Sequence, residues 1–475
     1  MVFSSYIFLF FFLPLTLALY YALPFSWRGV YVRNGFLTVA SYLFYGWQEP
    51  WFVLLMMTST LVDFVAVKLM TRPGASHRVK NGALVASCIS NLGMLGFFKY
   101  AMFTAGGLNR IIGLLGGPQE GLIPIIDITL PIGISFYTFQ TMSYTIDVWR
   151  GNVRPARNMA TFSCFVALFP QLIAGPIVRY VDVAEQLDSR SHTFDRFSSG
   201  VSLFILGLSK KILLANSVGQ IADTVFGAAS PTVATAWWGI LAYHFQIYFD
   251  FCGYSDMAVG LGRMFGFEFL KNFDAPYHSV SISDFWRRWH ISLSTWIRDY
   301  LYIPLGGNRG GAARTYVNLL ITFFLCGLWH GAKTTFICWG LYQGVFLVIE
   351  RLRGKTPLYA KLPRALTVVI TNVIVLSGWV LFRAPDLPQA ARFWRSMLGA
   401  APHDGTSMLL QSEVFARHNV AAMLLCAIVT WQGTQAFEWV KRPSVRKYIL
   451  LTALFILAVL SMFNQSFNPF LYFQF

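Results

Sequence analysis

The chain has 475 residues, of which 56% are hydrophobic and only 12% charged, whereas a soluble globular domain carries about 25% charged residues. So little charge cannot cover a large water-facing surface, which excludes an ordinary soluble fold and makes lipid the main solvent. The formal net charge of +16 sits mostly in short loops between apolar blocks, which is the positive-inside pattern of a membrane protein rather than a nucleic-acid-binding face.

In chain order, the first apolar block, residues 6–23, lacks a basic n-region and a small-residue cleavage site, so it reads as a retained membrane helix. Residues 35–47 are short for a crossing, since a helix needs about 20 apolar residues to span the hydrocarbon. Further spans are expected at 51–70, 83–103, 131–148, 201–226, 233–261, 317–329, 335–349, 366–382, 420–440 and 448–463. The block 159–178 is interrupted by Pro170, Gly175 and Pro176. It reads as a re-entrant segment, tolerated only where protein or a water-filled cavity covers its irregular backbone.

The basic clusters at 28–33, 72–80, 150–157, 263–314, 351–355 and 441–447 all become cytoplasmic if the N-terminus faces outward. Residues 383–417 then form an outer loop in spite of their arginines. Composition is uniform, with no internal repeat or low-complexity tract, so residues 1–475 are expected to form a single integral membrane domain. The six cysteines all lie in apolar stretches with no CxxC pair, and they read as small buried hydrophobes without a metal role.

Ionisable residues at membrane depth are functional candidates by default, and they concentrate between Tyr248 and Lys333. At about 100° per residue, Phe285, Trp289, Leu293, Trp296 and Tyr300 share one face of an amphipathic helix over 284–300, with Asp284, Arg287 and Arg298 opposite. His290 lies at the edge of its apolar face, either as an interfacial histidine held by a carbonyl or as a reactive group. The glycine-rich run Gly306-Gly307-Asn308-Arg309-Gly310 can approach phosphates.

His330 ends a nearly pure apolar helix over 317–329, roughly 20 Å along it. An imidazole there is structural or poised for proton transfer near neutral pH. Trp329 and Gly331 are expected to leave an aromatic wall on one side of the ring and a gap on the other. Cys326, one turn earlier, is a packed small residue or a nucleophile partner. Asp250 and Asp256 orient a histidine, bind a polar group or close a helix end, and His244 packs or lines a cavity.

The runs FDFCGYSDMAVGLG, FWRRWHISLSTWIRDYLYIPLGGNRGG and GLWHGA, with LPIGISFYTFQTMSYTIDVWRG, FPQLIAGPIVRY and the closing LYFQF, resemble the membrane-bound O-acyltransferase family along the whole chain. Within it the bacterial branch that O-acetylates secreted polysaccharides is most similar. The resemblance implies an all-α helical ring around a thinned centre with re-entrant segments, in the bacterial inner membrane. It implies His330 and His290 as the catalytic pair and acetyl-CoA as donor, with no metal. Acetyl would pass outward to a periplasmic partner acetyltransferase of the SGNH-hydrolase-like kind, within a polysaccharide synthesis and export complex. Alginate is the first expected polymer and cellulose the second. Arg287, Arg288, Arg298 and Arg309 are candidates for the donor's phosphates or for anionic lipid headgroups, with Trp286 and Trp329 beside them. Two alternatives stand: D-alanyl or other acyl transfer to a cell-wall polymer from a carrier protein, and a non-enzymatic transporter or polymer-export channel. The second would sit better with paired half-sequence repeats, which are absent.

Overall fold

The computed structural model describes residues 1–24, 27–118, 122–124, 128–402 and 406–465; the closing LYFQF motif lies outside them. Among the described residues every regular element is helical. Seven helices among these residues are long and apolar enough to cross a membrane: Trp51–Met70, His77–Leu114, Phe194–Gly227, Ala312–His330, Thr334–Leu352, Arg364–Arg383 and Val445–Asn464.

The expected span over 420–440 differs. The helix Arg417–Trp431 stops at the polar Gln432 and Gly433, and Ser407–Val414 precedes it at a bend of 58°. The arginines of the expected outer loop also find a reason. Leu387–Met397 is an amphipathic helix that buries Ala390, Phe393 and Met397, with Phe393 stacked on Phe226 at 4.1 Å, while Arg392 and Arg395 stay exposed. The short block 35–47 belongs to a longer helix, Trp27–Tyr45, that begins in the basic loop.

The chain forms two compact units. The first comprises Met1–Phe197 and Leu261–Phe269. Its helices Trp51–Met70, His77–Leu114 and Ile134–Arg150 meet at Asp63, a fully buried acid in the middle of an apolar run. Ser87 donates to its carboxylate at 2.5 Å. Asn91 Nδ2 lies 2.9 Å from both oxygens. Thr141 and Ser59 donate in turn to Asn91 Oδ1. Apolar surroundings make an unmade hydrogen bond expensive, so this network fixes which faces the three helices present to each other. The interrupted block 159–178 becomes two short helices, Met159–Ala167 and Phe169–Leu172, followed by irregular buried chain. Neighbouring side chains satisfy that backbone: Ser41 accepts from the Phe169 amide at 3.0 Å, and Gln171 Nε2 donates to the Phe165 carbonyl at 2.6 Å.

The second unit comprises Ser198–Gly260 and Leu270–Phe475. Two glycine seams set its packing. A Cβ at Gly253 would stand 2.7 Å from the Gly207 carbonyl oxygen, and one at Gly260 2.6 Å from that of Gly200. The two helices thus touch backbone to backbone, with the small residues a heptad apart on each. Beside this seam Lys210 pairs with Asp256 at 2.6 Å and Lys211 with Asp250 at 2.7 Å. The two acids are therefore held by lysines rather than by a histidine. Isolated charges at membrane depth are costly, and adjacent opposite charges offset that cost. The second seam joins Ala312–His330 to Thr334–Leu352. A Cβ at Gly327 would collide with the Phe336 carbonyl oxygen and one at Gly340 with that of Phe323. This close hairpin carries His330 at its turn.

Candidate active site

The segment expected as one amphipathic helix over 284–300 is broken. It forms helices Ile282–Arg288 and Ile291–Ile297 with Trp289 extended between them, continuing as a wider turn Arg298–Tyr302. The first helix is firmly capped. Ser281 Oγ accepts from the Asp284 amide at 3.0 Å, while the Glu350 carboxylate, from the hairpin, accepts from Ile282 and Ser283 at 2.7 and 2.9 Å. Negative charge at a helix N-terminus is favourable, and Glu350 is 3% exposed.

The break itself is made by Asn272. Its carbonyl accepts from the Ile291 amide at 2.9 Å, and its side-chain oxygen accepts from the Ser292 amide at 3.1 Å and from Ser292 Oγ at 2.8 Å. These amides start the second helix, and His290 just before them takes a left-handed conformation, φ 43°. Such a backbone costs a non-glycine residue about 1 kcal/mol or more. His290 is 0% exposed. Its Nδ1 lies 3.3 Å from Asn272 Oδ1, its ring meets the Phe251 ring edge-on at 4.7 Å, and its Nε2 has no hydrogen-bond partner among the described residues.

His330 ends its helix as expected and is buried. Trp329, Trp339 and Phe382 pack edge-on around its imidazole at 4.9, 5.1 and 5.2 Å. The gap expected at Gly331 is closed, because the Phe336 ring fills the space a side chain would take. The Trp329 ring stands 6.2 Å from His290, so that indole lies beside both imidazoles. Trp339 Nε1 is a buried donor without a partner among the described residues.

Two cavities lie near this centre, and neither histidine is among their lining residues. One of about 250 Å³ is lined by Arg287, Arg351, Lys355, Tyr302 and Asn308. The other, of about 190 Å³ and mostly apolar, is lined by Trp286, Arg298, Thr322, Phe323 and Cys326. Tyr302, Leu319 and Leu347 line both, which makes them neighbours: a cationic mouth beside an apolar chamber that reaches the turn before His330. The structure thus brings Arg287, Arg298 and Trp286 to the cavities. Arg288 instead pairs with Asp284 at 3.0 Å and donates to the Asp274 carbonyl, and Arg309 is exposed on the glycine loop. Trp329 stands at the imidazoles. Sequence reasoning missed Asn272 and Glu350, and it read Arg351 and Lys355 only as a topogenic cluster. Their positions relative to helix Ile282–Arg288 depend on tertiary packing that no local pattern announces. His244 stacks on Tyr277 at 3.5 Å, a packing role. Among the described residues no His, Cys, Asp or Glu group is placed to hold a metal ion.

Comparison with known proteins adds identity to this geometry. Residues 153–381 match the membrane-bound O-acyltransferase family. A probable alginate O-acetylase of Azotobacter vinelandii is 42% identical over all of both chains. A peptidoglycan O-acetyltransferase of Helicobacter pylori is 32% identical over all of this chain and 98% of its own. A teichoic acid D-alanyltransferase of Bacillus subtilis is 28% identical over 58% of this chain and 74% of its own. Full-length similarity to acyltransferases sets aside the transporter and export-channel alternative. The chain, whose described residues include seven apolar helices long enough to cross a bilayer, belongs to the membrane-bound O-acyltransferase family and is a multi-pass membrane O-acyltransferase.

Proposed function

We propose that this protein acts as one integral domain of the bacterial inner membrane, taking acetyl from cytoplasmic acetyl-CoA for the O-acetylation of a secreted polysaccharide. Alginate is the first polymer to test, on the strength of the 42% identical relative, and cellulose the second. The acetyl group passes to a periplasmic acetyltransferase partner working with the polymer's synthesis and export machinery.

The observation that carries this reading is the pair of buried imidazoles, His290 and His330, together with a cationic cavity and a neighbouring apolar one that reaches Cys326, one turn before His330. Acetyl-CoA is too highly charged to cross hydrocarbon, so its thioester must be met from one face and only acetyl handed on. In this reading Arg287, Arg351 and Lys355 hold the phosphates, and the pantetheine arm lies in the chamber lined by Trp286 and Cys326. His330 takes the proton of the incoming hydroxyl as its oxygen attacks the thioester carbonyl. The C–S bond breaks and the thiolate leaves with a proton. His290 polarises the carbonyl or relays that proton.

Everted membrane vesicles loaded with alginate and the periplasmic partner, and supplied from outside with radiolabelled acetyl-CoA, provide the test. His330→Ala should keep wild-type membrane abundance while label transfer falls by about 10²–10⁴-fold, the usual worth of a general base. Label transfer at the wild-type rate would defeat the proposal. The D-alanyl reading has its own support in the Bacillus subtilis relative. It would prevail if a D-alanyl carrier protein, and not acetyl-CoA, donated in the same vesicles.

A further inference from the structure

We infer that Asn272 is a positioning residue that holds His290 in the Nδ1–H tautomer, leaving Nε2 as a basic nitrogen and giving His290 the proton-relay role rather than carbonyl polarisation. This rests on the proposed part of His290 in catalysis.

An amide offers an oxygen on one side and an NH₂ on the other, and the partners decide which faces which way. The backbone amide of Ser292 can only donate, and it points at the Asn272 side-chain atom 3.1 Å away, so that atom is the oxygen. Ser292 Oγ also donates to it at 2.8 Å. The same oxygen lies 3.3 Å from His290 Nδ1. It has no proton to give, so Nδ1 carries the hydrogen. A neutral imidazole has only one N–H, and the lone pair therefore lies on Nε2. That atom is buried and meets no hydrogen-bonding group among the described residues.

Asn272 is itself fixed. It is 3% exposed, its main-chain carbonyl anchors the Ile291 amide at 2.9 Å, and its amide NH₂ has no partner among the described residues. His330 is the titratable side chain that shares the Trp329 ring with His290, and Phe251 supplies a second ring contact. A bare Nε2 can accept a proton and return it but cannot donate to a thioester carbonyl. During transfer the hydroxyl proton leaves oxygen as the new ester bond forms and the C–S bond breaks. The proton that His330 removes from the hydroxyl passes to Nε2 and from there to the departing thiolate, while Nδ1–H remains on Asn272. The transient imidazolium is stabilised there, because a hydrogen bond from a charged donor is roughly twice as strong as a neutral one.

Asn272→Asp tests this in the vesicle assay. It preserves the shape and the acceptor oxygen, so the cap on Ile291–Ile297 survives. A carboxylate at Nδ1 favours the protonated ring, so the acidic limb of kcat/KM against pH should move up by about one to two units. Activity at neutral pH should fall at least about tenfold and recover in alkaline buffer. Ser292→Ala removes a donor from the same oxygen and a hydroxyl 3.5 Å from Nδ1 but brings no charge to the ring, so it should move that limb far less than Asn272→Asp. Asn272→Ser keeps a small capping oxygen but loses reach to Nδ1, and should lower kcat about tenfold with the acetyl-CoA KM retained. If His290→Ala is inactive while Asn272→Asp keeps the wild-type pH profile or Asn272→Ser keeps the wild-type kcat, Asn272 is only a cap and the inference falls. If His290→Ala works at the wild-type rate, the catalytic reading of His290 falls first and this one with it.

Discussion

Glu350 ties helix Ile282–Arg288 to the hairpin that carries His330, and its removal should be felt in both stability and donor binding. Its two carboxylate oxygens accept from the first two amides of that helix, at 2.7 and 2.9 Å, in a site almost closed to solvent. Hydrogen bonds to a charged group are worth about 1.5–3 kcal/mol each, so Glu350→Ala should cost about 3–6 kcal/mol. Glu350→Gln retains one acceptor oxygen and should cost about half of that. The helix also carries Trp286 and Arg287, which line the two cavities. The alanine variant should therefore raise the acetyl-CoA KM as well. Thermal unfolding of the detergent-purified protein, followed by tryptophan fluorescence, reads the first effect, and initial rates in vesicles read the second. The order wild type, Gln, Ala should appear in the melting temperatures. An alanine variant that melts with the wild type and keeps its KM would refute the assignment of Glu350 as the anchor of this helix.

At the hairpin seam, Gly327→Ala overpacks against the Phe336 carbonyl and should destabilise by about 1–3 kcal/mol while displacing His330 three residues on. Gly344→Ala, whose Cβ would meet Phe323 Cβ at 3.2 Å, should be milder in both melting temperature and rate; the reverse order would refute the seam. Asp63→Leu strips the acceptor from Ser87 and Asn91 and should cost about 1–3 kcal/mol, given the modest worth of single hydrogen bonds between membrane helices. Asp63→Asn should cost less, and equal melting temperatures would show that the network does not hold the three helices. Arg351→Ala removes one of the cations at the polar cavity. Because these groups are partly in water, the acetyl-CoA KM should rise only about two- to fivefold with kcat unchanged, and less at high salt. A salt-independent or absent effect would remove the phosphates from that cavity.

Much of the fold is written in local pattern. Apolar runs of the right length mark the helices, and Pro170, Gly175 and Pro176 mark an irregular buried segment. The exception near His290 has a clear physical origin. Apolar residues keep a helical period from Phe285 to Tyr300, so periodicity runs straight through the break. What interrupts it is Asn272, which captures the Ile291 and Ser292 amides. Local periodicity carries no information about such a competitor. His330 was legible because a single imidazole at the end of an apolar helix stands out in composition alone. Arg351 and Lys355 were visible as charges, but their approach to Arg287 depends on Glu350 docking one helix against another.

The polar groups buried in this protein separate by how completely they are satisfied. Asp63 receives three hydrogen bonds and the consecutive lysines meet two aspartates, so each is closed, as an apolar solvent demands. His290 is held differently. It accepts a left-handed backbone that a glycine would adopt without strain, and it leaves a buried ring nitrogen without a partner among the described residues. A segment arranged only for stability would relieve both at once by placing a glycine at this position. The chain keeps an imidazole there and uses Asn272 to aim it. Unrelieved strain together with an open nitrogen at one residue is the expected mark of a group whose partner arrives with a substrate. His290→Gly should accordingly leave the fold intact, or raise its melting temperature, while abolishing acetyl transfer. A glycine variant that loses both the fold and the activity would show that the imidazole serves packing instead.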